Sequence, residues 1–433
     1  MIATAVENTK TAWLGEFPSH WQVLRIKNLF QEMDSRSETG NEELLSVSHY
    51  TGVTLKRESL ENEDDHLTNA ESLVGYKLVQ QGDLVINIML AWNGSLGISP
   101  YNGITSPAYC VYRIKGDNNP EYFGYLFSTN LFKAEFRRHS TGIIDSRLRL
   151  YSDKFFSIFT VVPPKNEQDE IVQYIKAQEE KINRFIEKKQ RFIELLKEQR
   201  QSVITKSVTK GIRKDVELKE TGIDWLGQIP MNWEIRRLKR VSKSIQTGST
   251  PKSENAEVHF EGGEINWFTP GDIKDLFINN SNRKITQKAI DDGVVTLFPA
   301  KSVLVIGIGG TLGKVSMIEV DGGSNQQINS VTFNDEVLPE FGLYYLSAFE
   351  SILKSISNAA TLAILTQSDL KDMLFLLPSL EEQKQIVSHI KTETATIDSA
   401  IAKAEREIEL IREYKEAMIV EAVMGKRNSN FAH

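Results

Sequence analysis

The stretch Trp13-Leu14-Gly15-Glu16-Phe17-Pro18-Ser19-His20-Trp21 returns 212 residues later as Trp225-Leu226-Gly227-Gln228-Ile229-Pro230-Met231-Asn232-Trp233. Both copies keep the Trp-Leu-Gly, the proline and the second tryptophan, and the register runs on through Arg25/Arg237, Ile26/Leu238 and Lys27/Lys239. Four of the six tryptophans therefore sit in one duplicated element. A second duplication follows at an offset of 215: Pro163, Gln168, Ile171, Val172, Ile175 and Ile182 match Pro378, Gln383, Ile386, Val387, Ile390 and Ile397. Between these anchors the halves drift apart. Gly94-Ser95-Leu96-Gly97 still echoes Gly310-Thr311-Leu312-Gly313, but residues 32–83 have no counterpart in 243–302. A long internal repeat means two copies of one structural unit. Like ends with unlike middles predict one scaffold carrying two different surfaces.

Each half reads as a module followed by a long helix. Leu84-Val85-Ile86-Asn87-Ile88 and Val303-Leu304-Val305-Ile306-Gly307-Ile308 are β-branched runs near glycines, which are strand signals. Residues 121–138 and 339–355 space aromatics and leucines as helices do. The modules are therefore expected to be β-rich α/β (α+β). After Pro163-Pro164, no proline or glycine occurs from Glu167 to Lys210, enough for a helix of ~66 Å. Ile175, Ile182, Leu196 and Val203 fit one heptad core position, with Lys189 the exception. Ile171, Phe185 and Phe192 are expected at the other, with Ile186 and Ile193 widening the stripe. The second copy, from Glu381 to Met424, gives Ile390, Ile397, Ala404, Ile411 and Met418, with Ile401 and Ile408 beside them. Gly211 and Gly425 stop the two helices. Stripes this long need a mate, and the simplest is each other. A pseudo-twofold relation between the halves would make the helices antiparallel, a coiled coil separating two globular domains. The expected division is 1–165, 166–212, 213–377, 378–428 and a tail, 429–433.

Composition narrows the function. The 433 residues are 40% hydrophobic and 25% charged, as in soluble globular chains. A single cysteine, Cys110, excludes an internal disulfide and any CxxC metal site. No apolar run suits a bilayer, and Met1 to Lys10 does not read as an export signal, so a cytoplasmic protein is expected. Residues 307–315 fail the Walker spacing at Ile308 and Val315, and fail GxGxxG at Leu312, so they read as a tight β-turn. Asn119-Pro120-Glu121-Tyr122 reads as a helix start. The seven histidines show no ligand spacing, and no nucleophile, base and orienter set stands out.

Net charge is −7, with 15 basic and 19 acidic residues over 1–162 and 14 and 18 over 223–377. Any nucleic-acid face must then be made by local clustering. In the first module the candidates are Lys56, Arg57, Asn93, Arg137, Arg138, Arg147 and Arg149. In the second, Thr247-Gly248-Ser249-Thr250-Pro251-Lys252 is a loop of donors suited to sugar-phosphate contact, from which Thr250 and Lys252 are drawn. Lys274 and Lys314 add charge, as do Arg236-Arg237 and Lys239-Arg240. Asn325-Gln326-Gln327 offers amides, and paired amide bonds suit adenine in the major groove.

Taken together, the duplicated Trp-Leu-Gly…Pro…Trp starts, the duplicated Pro…Glu-Gln…Ile-Val helix starts, Thr247-Gly248-Ser249-Thr250-Pro251, Asn266-Trp267-Phe268-Thr269…Asp272-Ile273 and Ser106-Pro107-Ala108-Tyr109 resemble the specificity (S) subunit of type I restriction–modification systems. The resemblance covers nearly the whole chain. It implies two target-recognition domains on two long antiparallel helices, each domain reading half of a split, asymmetric double-stranded DNA site. It implies that Trp267 and Thr269 join the DNA-binding set. It also implies two methyltransferase (modification) subunits docked on the helices, which set the spacer, and restriction/translocase subunits beyond them. S-adenosylmethionine and ATP with magnesium would belong to those partners; no cofactor, no metal and no catalysis are expected of this chain. The alternative is a coiled-coil scaffold that joins proteins without reading DNA.

Overall fold

The protein is described by a computed structural model, which places residues 2–4, 11–49, 51–56, 72–213, 215–252, 254, 256–356 and 363–426. It divides into two compact units, Met1–Lys189 with Arg406–His433, and Gln190–Glu405. Each unit holds one module and a stretch of both long helices.

In the first unit an antiparallel four-stranded sheet runs Phe30–Met33, Tyr109–Ile114, Leu84–Asn87, Leu96–Ile98. In the second the order is Ser242–Thr247, Ile328–Phe333, Val303–Ile306, Val315–Ile318, extended by a parallel edge strand, Phe277–Ile278. The first four positions correspond, so the repeat is one sheet built twice. A two-stranded ladder also recurs: Gln22–Arg25 with Phe159–Val162, and Glu234–Arg237 with Leu374–Leu377. What differs is the insertion. The first module adds a hairpin, Leu45–Ser48 with Gly52–Leu55. The second adds a three-stranded sheet, Arg283–Ile285, Ile265–Phe268, Gly322–Ser324. Residues 121–138 and 339–355 are helical, as their spacing predicts, and each stretch is divided into two helices: Pro120–Ser128 then Asn130–His139, and Pro339–Ala348 then Glu350–Ser355. In the first pair Thr129 is extended and its hydroxyl donates to the Leu126 carbonyl, closing one helix where the next begins. Asn119 caps the start, as expected, accepting from Glu121 N–H at 3.0 Å.

The long helices span Lys165–Lys210 and Leu380–Val423. They pair antiparallel in each unit. In the first, Glu179 meets Lys415 at 3.0 Å and Lys189 pairs with Glu407, so one helix advances as the other retreats. In the second, Arg200 Nε meets Asp398 Oδ1 at 2.8 Å. The second helix buries four of the five expected positions, Ile390, Ile397, Ala404 and Met418, together with Ile408, while Ile411 and Ile401 are only partly buried. The first requires a correction. Phe185 and Phe192 are 38% and 45% exposed, while Ile193 is buried and Ile186 packs on the core. The inward stripe steps four and three residues through Ile182, Ile186, Lys189, Ile193 and Leu196, which turns 185 and 192 outward.

Two conserved-looking signals of the repeat now have physical causes. Gln168 and Gln383 are fully buried at the helix starts. Gln168 Nε2 donates to the Pro163 carbonyl (2.8 Å) and Asn118 Oδ1 (3.0 Å), and its Oε1 accepts from Asn119 N–H (2.8 Å). Gln383 Nε2 donates to the carbonyls of Pro378 and Glu336, both at 2.9 Å, and its Oε1 accepts from Leu338 N–H at 2.7 Å. Each glutamine locks a helix to its own module. The tryptophan elements seat helix ends. Gly425, with φ +64°, packs so tightly that a methyl there would lie 2.5 Å from Pro18 and 2.8 Å from Trp21. Gly211, with φ +71°, faces Trp233 and Glu382 more loosely, at 3.4 Å from where a methyl would lie. Left-handed glycines are the usual helix stops.

Candidate nucleic-acid interface

In the second module the strand Ser242–Thr247 ends at the donor loop. Gly248 lets that loop fold against Gly322–Ser324, since a methyl there would lie 2.1 Å from Ser324 Oγ and 2.4 Å from the Asn325 carbonyl oxygen. Gly248 N–H donates to the Ile328 carbonyl (2.9 Å) and Ser249 N–H to the Ser324 carbonyl (2.8 Å). Thr247 Oγ1 donates to Asn329 Oδ1 at 2.7 Å and accepts from Gln367 Nε2 at 3.0 Å. The amide loop is stiffened likewise: Asn325 Nδ2 donates to Gln327 Oε1 (2.9 Å), and Gln327 N–H donates to Asn325 Oδ1 (3.1 Å). Thr250 Oγ1 donates to Gln326 Oε1, joining the two loops.

These loops wall a cleft of about 610 Å³. Of the residues singled out from sequence, it is lined by Thr250, Trp267, Thr269, Gln326 and Gln327. Thr250 and Gln326 are exposed at its edge. Trp267 is buried, and its indole N–H donates to the Ser249 carbonyl at 3.1 Å, so it acts as a wall. Thr269 N–H and Oγ1 both donate to Asp272 Oδ2 at 2.8 Å, which fixes the turn Pro270–Asp272. Among the other lining residues is Arg283, which sequence reasoning missed. Its guanidinium carbon lies 4.0 Å from the Phe260 ring centre and 4.9 Å from that of Trp267. Stacking aims the fork without consuming its hydrogen-bond donors. No sequence signal marked it, because Phe260 and Trp267 reach it only through folding. Lys252, Lys274 and Lys314 are exposed but do not line the cleft. Residues 307–315 turn between antiparallel strands, as expected of a β-turn.

In the first module Trp92, Arg137 and Asp145 form one group. The Arg137 guanidinium sits 5.3 Å from the Trp92 ring centre and 2.7 Å from Asp145 Oδ1. Asn93 follows Trp92 in the turn Ala91–Asn93, and Arg147 ends the turn Asp145–Arg147. Arg149 pairs through its backbone with Thr141, and its Nη1 donates to the Leu148 carbonyl at 2.8 Å. Arg138 is committed elsewhere: its bidentate bond to Glu135 raises its pKa further. Lys56 follows the inserted hairpin, its N–H bonded to the Leu44 carbonyl at 2.8 Å. Arg57 lies outside the described residues. In the two basic runs of the second module, Arg236, Arg237 and Lys239 are engaged in ion pairs. Arg236 binds Glu234, and hydrogen bonds from Lys239 and Arg237 hold the Asp372 carboxyl below the usual carboxylate range. Among the described residues no group of three His, Cys, Asp or Glu could hold a metal ion.

Comparison with known proteins bears on what such a cleft reads. Residues 230–410 match the family model of the type I restriction modification DNA specificity domain. The MjaIX specificity subunit of Methanocaldococcus jannaschii is 32% identical over 182 residues, covering 41% of this chain and 40% of that protein. The MjaVIII specificity subunit of the same organism is 25% identical over 452 residues, 98% of each chain. A solved chain described under the assembly and conformational transition of the type I R-M system has the same fold, with a TM-score of 0.69 at 16% identity. It covers 95% of this chain and 99% of that one.

Proposed function

We propose that the chain is a specificity subunit of a type I restriction–modification system, the family whose DNA specificity domain residues 230–410 match, and that it reads DNA in two halves. Each module, 1–165 and 213–377, reads one half of a bipartite, asymmetric duplex site. The long helices fix the gap between the halves and dock two modification subunits, to which restriction subunits add. The chain is the non-catalytic reader. S-adenosylmethionine, ATP and magnesium belong to the partner subunits, and the assembly works in the cytoplasm; no helix among the described residues is long and apolar enough to cross a membrane.

The observation that carries this reading is one sheet order built twice with different insertions, one of which makes a polar cleft of amides, a hydroxyl and a stacked arginine. Amides and guanidinium forks are the groups that discriminate adenine and guanine in the major groove. Half-sites about one DNA turn apart, ~34 Å, face the same side of the duplex, so a stiff helix pair suits the spacing task. The formal charge of −7 fits a reader whose partners supply much of the phosphate neutralisation.

Mapping methylated adenines in the source genome tests the reading. The expected motif is two short blocks around a fixed gap, lost when this chain is deleted. A continuous motif, or one indifferent to the deletion, would overturn it. Absence of duplex binding even with the modification subunits present would leave the scaffold reading.

A further inference from the structure

The first module carries a loop that the reading of polar contacts leaves unused. Thr141 and Arg149 close it with a pair of backbone hydrogen bonds, 2.9 and 3.0 Å long. Leu148 and Leu150 are buried at its base, 8% and 1% exposed, and Leu150 N–H donates to the Ile88 carbonyl at 3.0 Å. Its tip is the reverse: Ile143 is 99% exposed and Ile144 54%. Two neighbouring β-branched apolar side chains thus stand in water at the end of a loop whose base is anchored. Cations flank them. Arg147 is exposed at the foot of the turn, and Arg137 is held over Trp92 beside Asp145.

The loop's place in the fold says what it faces. In the second module Leu365 N–H donates to the Gly307 carbonyl at 2.8 Å, the counterpart of the Leu150 bond to Ile88. Ile364 pairs there with Ile308, which lines the polar cleft. Each module therefore folds a loop against the same end of the same central strand, and in the second module that end is the reading cleft. The first module's loop lies on the corresponding face.

We infer that this loop inserts Ile143 and Ile144 into a base step of the DNA half-site read by the first module, with Arg147 on the adjacent backbone. Apolar wedges between base pairs partly unstack and kink a duplex, and flanking arginines hold the phosphates close. The inference rests on the DNA-reading function proposed above and adds that the first half-site is read partly by its deformability.

The test uses the full chain purified with its modification subunits and duplexes carrying the mapped target. 2-Aminopurine is placed in turn at each step of both half-sites. At the methylated adenines, which the modification subunits flip out of the stack, a fluorescence rise is expected in both half-sites; at the remaining steps the expected result is a rise at one step, in the half-site of the first module only. Ile143→Ser, at a fully exposed position where folding does not depend on the side chain, should reduce that rise. Ile143→Ser with Ile144→Ser should abolish it and weaken binding by roughly tenfold. Ile143→Leu with Ile144→Leu should keep both. Serine variants that bind with unchanged affinity and signal would overturn the wedge while leaving the reading of a split site intact. Loss of the modification subunits from the purified serine variants would overturn it by making the tip a protein contact. A wild-type complex that binds no split duplex removes the reading and the wedge together.

Discussion

Individual side chains decide how the helices are held and, on the proposed function, what the second module reads. Gln383→Leu keeps the volume of a fully buried side chain but leaves Leu338 N–H and two carbonyls without partners. We expect a loss of about 3 kcal/mol in denaturant unfolding, and a similar loss for Gln168→Leu; a change within error would mean that water replaces the amide. Arg283 separates charge from geometry. Arg283→Lys keeps the charge but gives up the fork stacked on Phe260. It should weaken binding to one half-site by about tenfold and relax its sequence there, with the other half-site unaffected in competition assays. An equal loss on all duplexes would reduce Arg283 to a phosphate contact. The candidates from sequence were legible where composition alone carried the signal, as in Asn325-Gln326-Gln327 and the loop at Thr247. Arg283 was not, because its meaning comes from rings 23 and 16 residues away.

At the scale of elements, the helix pair shows how far periodicity can be read. The spacing of isoleucines located the stripe, and in the second helix it located the buried face. In the first helix two phenylalanines competed for the same stripe and lost, since Ile186 and Ile193 meet the four-three step with Lys189. Lys189 pairs with Glu407 in this seam, both partly exposed. A polar pair at core positions specifies register at some cost in stability. Glu407→Leu should lower the thermal midpoint by removing the carboxylate that faces Lys189 in the seam. Adding Lys189→Leu should restore the midpoint, with a gain in stability of up to about 1 kcal/mol, because a partly exposed pair contributes little in water. A double variant less stable than the single one would show that the pair holds the seam together rather than selecting its alignment.

For the whole molecule, the repeat is the organising fact. One sheet order serves both modules, and the inserted strands differ, so the scaffold tolerates new surfaces without a new fold. On the proposed function, inserting four residues into each long helix, about one turn or ~6 Å, should lengthen the tolerated DNA gap while both half-site sequences stay the same. Methylated-adenine mapping of the variant reads this directly. An unchanged gap would remove the helices from the spacing task.

The sequence by itself determined the duplication, the long helices, their antiparallel pairing and one strand of the shared sheet in each copy. These follow from local periodicity and from anchors repeated at fixed offsets, both of which are written along the chain. Only the tertiary structure decided that the tryptophan elements seat helix ends, that Gln168 and Gln383 are buried locks, that Arg283 belongs to the cleft, and that Ile143 stands exposed. Those outcomes depend on which distant groups meet, and contact between distant groups is settled by packing and hydrogen-bond satisfaction in three dimensions.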